Sequence, residues 1–209
     1  MLHCYFIARS GPPIESLSFP SLGASALSFV RHQDLVAAVR LYPAGTRFTP
    51  QAMLEYNAIL AAASRRSTVL PLRFGASFRD EAAVIRLLAS RERELAATLD
   101  QLDGTAEMTV RVLVPAGEMA HRLADEINAR ARPLASRVEV HSNRAGQTVL
   151  EMSHLIPRHQ AVEYRQRLAA TGVEISDPRP PMHFLPEFLR LPVRAERERR
   201  RRAAAAGAG

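Results

Sequence analysis

Chemistry needs particular side chains at particular spacings, and this sequence supplies few of them. Two of its seven histidines, His154 and His159, stand five apart in "HLIPRH", across a predicted strand-to-helix corner. A metal ion wants more convergent ligands than that, and no HExxH or HxH pattern accompanies them. Cys4 is the only cysteine, so neither an intramolecular disulfide nor a four-cysteine metal site can form. In a short β-prone run it reads as a small buried hydrophobe. GxGxxG, GxxxxGK[ST] and GxSxG are all absent, which removes the common phosphate loops and the nucleophile elbow. Serine, histidine and aspartate could be combined into a triad on paper, as in any chain of this length. The residues therefore predict no enzyme, no metal and no cofactor.

One residue still asks for a reason. In "STVLPLRFGASFRDEAAV", Arg73 lies inside an apolar run, between Pro71 and Gly75. A buried guanidinium needs an acceptor. If the run is a strand, the nearest plausible partner by order is Glu107, which opens another predicted strand, and the two would pair across one sheet and fix its register. The open alternative is a solvent-facing Arg73 that serves as a docking residue.

The elements that would position these residues follow from periodicity. Leu2 to Ala8 is β-prone and closes on the turn signal "SGPP". "SALSFV" and "DLVAAVRLY" make a hairpin through "RHQD". Thr49 followed by Pro50 is a helix start, and Met53, Tyr56, Ile59 and Leu60 share its inward face. "STVLPLRFG" is a strand ended by Gly75. Asp80 caps a long amphipathic helix whose apolar positions run from Val84 through Leu88, Leu95 and Leu99 to Leu102, stopping near Asp103-Gly104. "EMTVRVLV" alternates as a half-buried strand.

Pro115-Ala116-Gly117 breaks the pattern and predicts a domain boundary. Beyond it come a helix (118–131), a hairpin around "NRAG", a helix over 157–171 capped by Gly172, and closing strands in "VEISDP" and "MHFL". The expectation is an α+β protein of two small domains, 1–115 and 116–192, each an antiparallel sheet packed with helices in a ferredoxin-like manner. A tail, 193–209, follows.

Charge concentrates in that tail. The chain carries a net charge of +7, and all 28 basic side chains are arginine. Arg194 to Arg202, "RAERERRRR", holds six Arg and two Glu, hence +4. Arg197, Arg199, Arg200, Arg201 and Arg202 could meet nucleic acid electrostatically, or form a charged solubilising end. No apolar run approaches the roughly 18 residues of a membrane span, and the N-terminus lacks a signal-peptide pattern. The expectation is a soluble, cytoplasmic protein.

"VLPLRFG" (Val69 to Gly75), Phe78, the acidic helix start, the leucine helix and then "LDGTAEMTVRV" together resemble the gas vesicle protein F and L family (GvpL/GvpF). The motif residues are Leu70, Pro71, Leu72, Arg73, Phe74, Gly75, Phe78, Gly104 and Glu107. "DLVAAVRLY" upstream, with "VLEMSHLIPRHQAVEYRQRL" and "GVEISDPRPPMHF" downstream, extends the similarity over about residues 2 to 188. The resemblance implies an accessory or minor structural component of gas vesicles. Such a protein would be located in the cytoplasm or at the vesicle, and would bind the small hydrophobic shell subunit and other accessory proteins during assembly without catalysis. The alternative is a nucleic-acid-binding protein that uses the arginine tail.

Overall fold

A computed structural model describes residues 1–17, 27–43, 45–46, 49–114, 118–145 and 147–190. The arginine tail, with Arg197, Arg199, Arg200, Arg201 and Arg202, lies outside the described residues, as does the expected Pro115–Gly117 break. The fold is α+β, with two antiparallel sheets and two compact units. Among the described residues, unit 1 comprises those within 1–101 together with 185–190, and unit 2 comprises those within Leu102–Phe184.

In unit 1 the strands are β1 (Leu2–Arg9), β2 (Ser28–His32), β3 (Leu35–Leu41), β4 (Val69–Pro71) and β5 (Ser77–Phe78). Their order is β2-β3-β1-β4, with β5 also pairing β1. Gln33, at φ 50, makes the tight connection of the expected β2–β3 hairpin. Six consecutive residues of β1 and five of β3 are buried, a pattern that requires cover on both faces of the sheet.

The cover is helical: α2 (Pro50–Ser64) packs on β1 and β4, α3 (Glu81–Ser90) on β2 and β5, and α4 (Glu92–Gln101) on β1. The helix starts are those the sequence announces. The Thr49 side chain accepts from the Ala52 N–H at 3.2 Å and the Asp80 side chain from the Ala83 N–H at 2.8 Å. A short α1 (Pro12–Glu15) forms where only a turn was expected, with proline in its first turn.

Three local expectations are corrected. The 81–101 helix is two helices, broken at Arg91, whose φ is −126. Beside the break the Ser90 hydroxyl donates to the Leu87 carbonyl at 3.1 Å, the kind of side-chain competition that interrupts a helix ladder. Its apolar stripe nonetheless continues across the break, with Val84, Leu88, Leu95, Leu99 and Leu102 all buried. Met53, expected inward, is 39% exposed while Tyr56, Ile59 and Leu60 are buried. The strand over 67–75 shrinks to Val69–Pro71, because the chain turns at Arg73.

Unit 2 runs β6 (Thr105–Val114), α5 (Glu118–Ala131), β7 (Arg137–Ala145), β8 (Gln147–Pro157), α6 (Ala161–Leu168) and β9 (Glu174–Ile175). The sheet order is β7-β8-β6-β9, every pair antiparallel. That is the βαββαβ arrangement expected of a ferredoxin-like unit. Unit 1 departs from it, placing three strands before its first long helix. β6 belongs to this second sheet, so the strand expected to close the first domain opens the second unit instead, and the division falls ahead of 115–117. "MHFL" forms a 3-10 helix (Met182–Phe184), not a strand. It follows paired prolines, which cannot donate to a ladder. The core gathers Met108, Val110, Ile127, Leu150, Met152, Ile156, Tyr164 and Leu168.

After unit 2 the chain returns to unit 1 through α7 (Glu187–Arg190). The Arg91 guanidinium stands 4.7 Å from the centre of the Phe188 ring, within cation–π range.

Candidate interaction site

Where β1 begins, β3 ends and α2 starts, unit 1 has a recess lined by His3, Cys4, Tyr5, Tyr42, Ala52, Tyr56, Phe74 and Gly75. The turn that closes it explains a motif glycine. The Ala76 N–H donates to the Arg73 carbonyl at 2.9 Å, and Gly75 sits between them at φ 83. This is a type II turn, whose third position demands a positive φ. The chain reverses here, the Cys4 N–H donates to the Ala76 carbonyl at 3.0 Å, and β5 is laid onto β1.

Aromatic rings make the floor. Tyr5 and Tyr56 stack at 6.0 Å and Tyr56 meets Phe74 edge-on at 5.4 Å. His3 and Tyr42 meet edge-on at 4.6 Å. The Tyr56 hydroxyl donates to the Leu72 carbonyl, and the Tyr5 and Tyr42 hydroxyls lie 3.2 Å apart. Arg40 donates to Tyr42 Oη at 3.1 Å and to Glu55 Oε2 at 3.3 Å, with its guanidinium 5.0 Å from the Tyr42 ring centre.

Burial pushes the Tyr5 phenol well up, reinforced by its bond with Tyr42, and burial likewise pushes up Tyr56 and the Cys4 thiol. His3 is held below its ordinary value, by burial first and by the positive N-terminus second. These groups stay neutral near pH 7, so no activated nucleophile faces the recess. The recess is shallow and open, with a volume of about 10 Å3, room for roughly one water. The arrangement suits surface contact.

The motif residues divide between the two units. Leu70, Pro71 and Leu72 are buried; Phe74, Gly75 and Phe78 are half-buried; Arg73 is exposed. Gly104 and Glu107 lie in unit 2. The expected Arg73–Glu107 pair is not formed. Glu107 is in the other sheet, and Arg73 stands in a turn with no ion pair among the described residues. Gly104 follows α4 at φ 66, the left-handed stop expected of a C-terminal glycine, and its carbonyl accepts from the Arg158 N–H at 2.8 Å.

Glu107, 1% exposed, holds a different set of partners. Its Oε1 accepts from His183 Nδ1 at 2.7 Å, Ser153 Oγ at 3.3 Å and Thr109 Oγ1 at 3.4 Å, and its Oε2 from the His183 N–H at 2.9 Å. The backbones of Glu107 and Arg179 exchange both hydrogen bonds, at 2.9 and 3.0 Å, and Arg179 donates to Thr109 Oγ1. Burial alone would push the Glu107 carboxyl up. The His183 bonds and the charges of His183 and Arg179 outweigh burial and hold it below the usual range.

A serine, a histidine and a glutamate thus meet, but not as a relay. Ser153 Oγ lies 3.0 Å from His183 Nδ1, the same ring nitrogen that Glu107 binds, whereas a triad uses the two different ring nitrogens. Ser153 is also fully buried, out of a substrate's reach. Beside it, His154 is held between Tyr164 Oη at 2.7 Å on Nδ1 and Asn128 Oδ1 at 3.2 Å on Nε2. Burial lowers its pKa to about 4, so the ring is neutral and Nε2 donates to Asn128. His154 and His159 do not make a metal site, and no group of three or more His, Cys, Asp or Glu side chains among the described residues could hold a metal ion. No described helix is long and apolar enough to cross a membrane.

Sequence reasoning missed Arg40, Tyr42 and His183. Arg40 and Tyr42 do carry a signal, since residues two apart at a strand end project to one side. His183 carries none, because it reaches Glu107 from 76 positions away.

Comparison with known proteins agrees with the motif. The model of the family described as gas vesicle synthesis protein GvpL/GvpF matches residues 2–126, more than half of the chain. Gas vesicle protein L of a Streptomyces species is 30% identical over 148 residues, spanning 65% of this chain and 55% of that protein. This chain therefore aligns with only about half the length of that relative. Gas vesicle protein F of the same species is 28% identical over 178 residues, or 84% of this chain and 72% of that protein. The fold is that of the crystal structure of GvpF from Anabaena sp. PCC7120, with a TM-score of 0.74 at 15% identity over 88% of this chain and 97% of the other. GvpF from Microcystis aeruginosa gives 0.72 at 14% identity over 88% and 98%. On the match over 2–126, this chain belongs to the GvpL/GvpF family of gas vesicle synthesis proteins.

Proposed function

We propose that this protein is an accessory or minor structural component of gas vesicle formation. It works by binding the small hydrophobic shell subunit and other accessory proteins, at the vesicle and in the surrounding cytoplasm, and makes no covalent bonds. Family membership over residues 2–126 carries the reading. The physics of the task supports it, because a shell-forming subunit with apolar, β-rich surfaces pairs with itself by strand edges unless another protein covers them. An open recess floored by aromatic rings supports a role in contact.

The test is a strain lacking this chain, complemented by an affinity-tagged copy. The deletion is expected to abolish or deform vesicles, and the tagged chain to co-purify with the shell subunit. Normal vesicles in the deletion strain would refute the proposal.

A further inference from the structure

We infer that the aromatic end of unit 1 is the surface that receives the partner, and that it selects an apolar segment bearing a carboxylate, with Arg73 as the group that pairs with the acid. This rests on the assembly reading above and names the surface and the chemistry through which it would act.

Three observations converge on this end of the unit. The first is exposed apolar surface. Met1 is 44% exposed and Met53 39%. Met1 adjoins Tyr42, its carbonyl accepting from the Tyr42 N–H at 2.9 Å. Met53 stands three positions before Tyr56, which lines the recess, so the two share a side of α2. A folded chain seldom gathers large exposed apolar side chains at one end without a partner for them.

The second is where the polar groups are spent. The Tyr56 hydroxyl is committed to the Leu72 carbonyl, the Tyr5 and Tyr42 hydroxyls to each other, and His3 Nε2 to Ser77 Oγ at 3.2 Å. The floor is fixed from within. An apolar segment can be seated on it without leaving a buried hydroxyl unsatisfied.

The third is charge. Arg40 is paired with Glu55 and Arg79 with Asp80. Arg73 opens the turn that closes the recess, is exposed, and has no ion pair among the described residues. A planar guanidinium beside an apolar field favours a carboxylate that arrives with an apolar body, and it repels a basic segment.

The experiment uses the full chain, tagged and co-expressed with the shell subunit, and compares capture by wild type, Arg73→Glu, Met53→Glu and Val162→Glu. Val162, on α6 of unit 2, is 68% exposed and serves as an apolar control elsewhere. The expected result is a loss of capture of at least about tenfold for Arg73→Glu and Met53→Glu, with Val162→Glu at the wild-type level and all melting temperatures unchanged. Arg73→Lys is expected to retain part of the capture.

If wild type captures the subunit and Arg73→Glu captures it equally well, the surface is wrong while the assembly reading stands. If Val162→Glu loses capture to the same extent, the localisation to unit 1 is overturned. If wild type captures nothing, both fall. Binding of wild type to anionic phosphatidylglycerol vesicles in place of the subunit would overturn the choice of partner.

Discussion

The Glu107 carboxylate and the His183 ring meet at 2.7 Å although 76 positions separate them. Through this bond the segment after β9 is held along β6. Ser176, Arg179 and His183 all bond to Thr109 or Glu107, and Arg179 exchanges backbone bonds with Glu107. The contact covers a strand edge that would otherwise be open to another chain.

Removing the acid leaves the donors around it unsatisfied inside the sheet. Glu107→Ala is expected to destabilise unit 2 by about 3 kcal/mol. Glu107→Gln, which keeps the shape, should lose less. Hydrogen exchange resolves the effect, with amides of β6 and of residues 176–183 exchanging faster while those of α2 are unchanged.

Acid should weaken unit 2 in a defined window. His154 titrates near 6.5 when unfolded but near 4 when folded, so between those values the unfolded chain binds the extra proton. Stability is fully present above about pH 6.5 and falls as pH drops towards 4, by about 3 kcal/mol at the end of that range. Glu107, whose folded value is depressed, adds a further loss as pH falls below its unfolded value. Urea midpoints measured from pH 7 to 4 should decline, and His154→Gln should flatten the upper part of that slope.

Tyr56→Phe removes one hydroxyl and leaves the Leu72 carbonyl without that donor. The expected cost is about 1 kcal/mol, read as a lower melting temperature with an unchanged far-ultraviolet spectrum. Tyr56→Ala also empties the space between Tyr5 and Phe74, and should cost roughly 3–5 kcal/mol.

Gly75 and Gly104 should resist substitution for backbone reasons. A Cβ at Gly104 would meet nothing within 4 Å, so the penalty of Gly104→Ala is that of φ 66 alone, about 1 kcal/mol. Gly104→Asn, which tolerates the left-handed region, should recover part of it. A loss much larger than that in thermal denaturation would show a steric role that the open space around the site does not support.

Periodicity and caps made much of the fold legible. Thr49-Pro50 and Asp80 start helices where their chemistry says they should, and the leucine stripe finds its buried face even across a break. The helix, hairpin and helix of residues 118–168 can be read from the alternation of strand and helix patterns, whereas the strand that opens unit 2 was assigned to the domain before it.

Arg73 was misplaced because Pro71-Leu72-Arg73-Phe74 reads as continuous strand, and only pairing shows that the chain leaves the sheet after Leu72, whose N–H still donates to the Tyr5 carbonyl at 2.9 Å. Glu107 was assigned to the wrong sheet for a related reason. A strand's neighbours are set by long-range pairing, and Thr105–Val114 pairs with residues 148–157, beyond reach of any local pattern. The aromatic site stayed hidden because its members come from distant parts of the sequence, the starts of β1 and α2, the end of β3 and the turn after β4, which only strand pairing brings together. Each alone looks like an ordinary core ring.

The return of the chain to unit 1 bears on how fragments should be cut. Phe188, against Arg91, and the buried Leu185 and Leu189 fasten the far end of the described chain to the unit that opens it. A fragment ending at residue 126, where the family match stops, would strip those side chains from unit 1. It would also cut α5 short and leave β6 without the three strands and the helix α6 that complete unit 2. Unit 2, by contrast, begins and ends within one uninterrupted stretch, so Leu102–Phe184 is the piece to express alone, and unit 1 is better obtained by replacing that stretch with a short linker than by truncation.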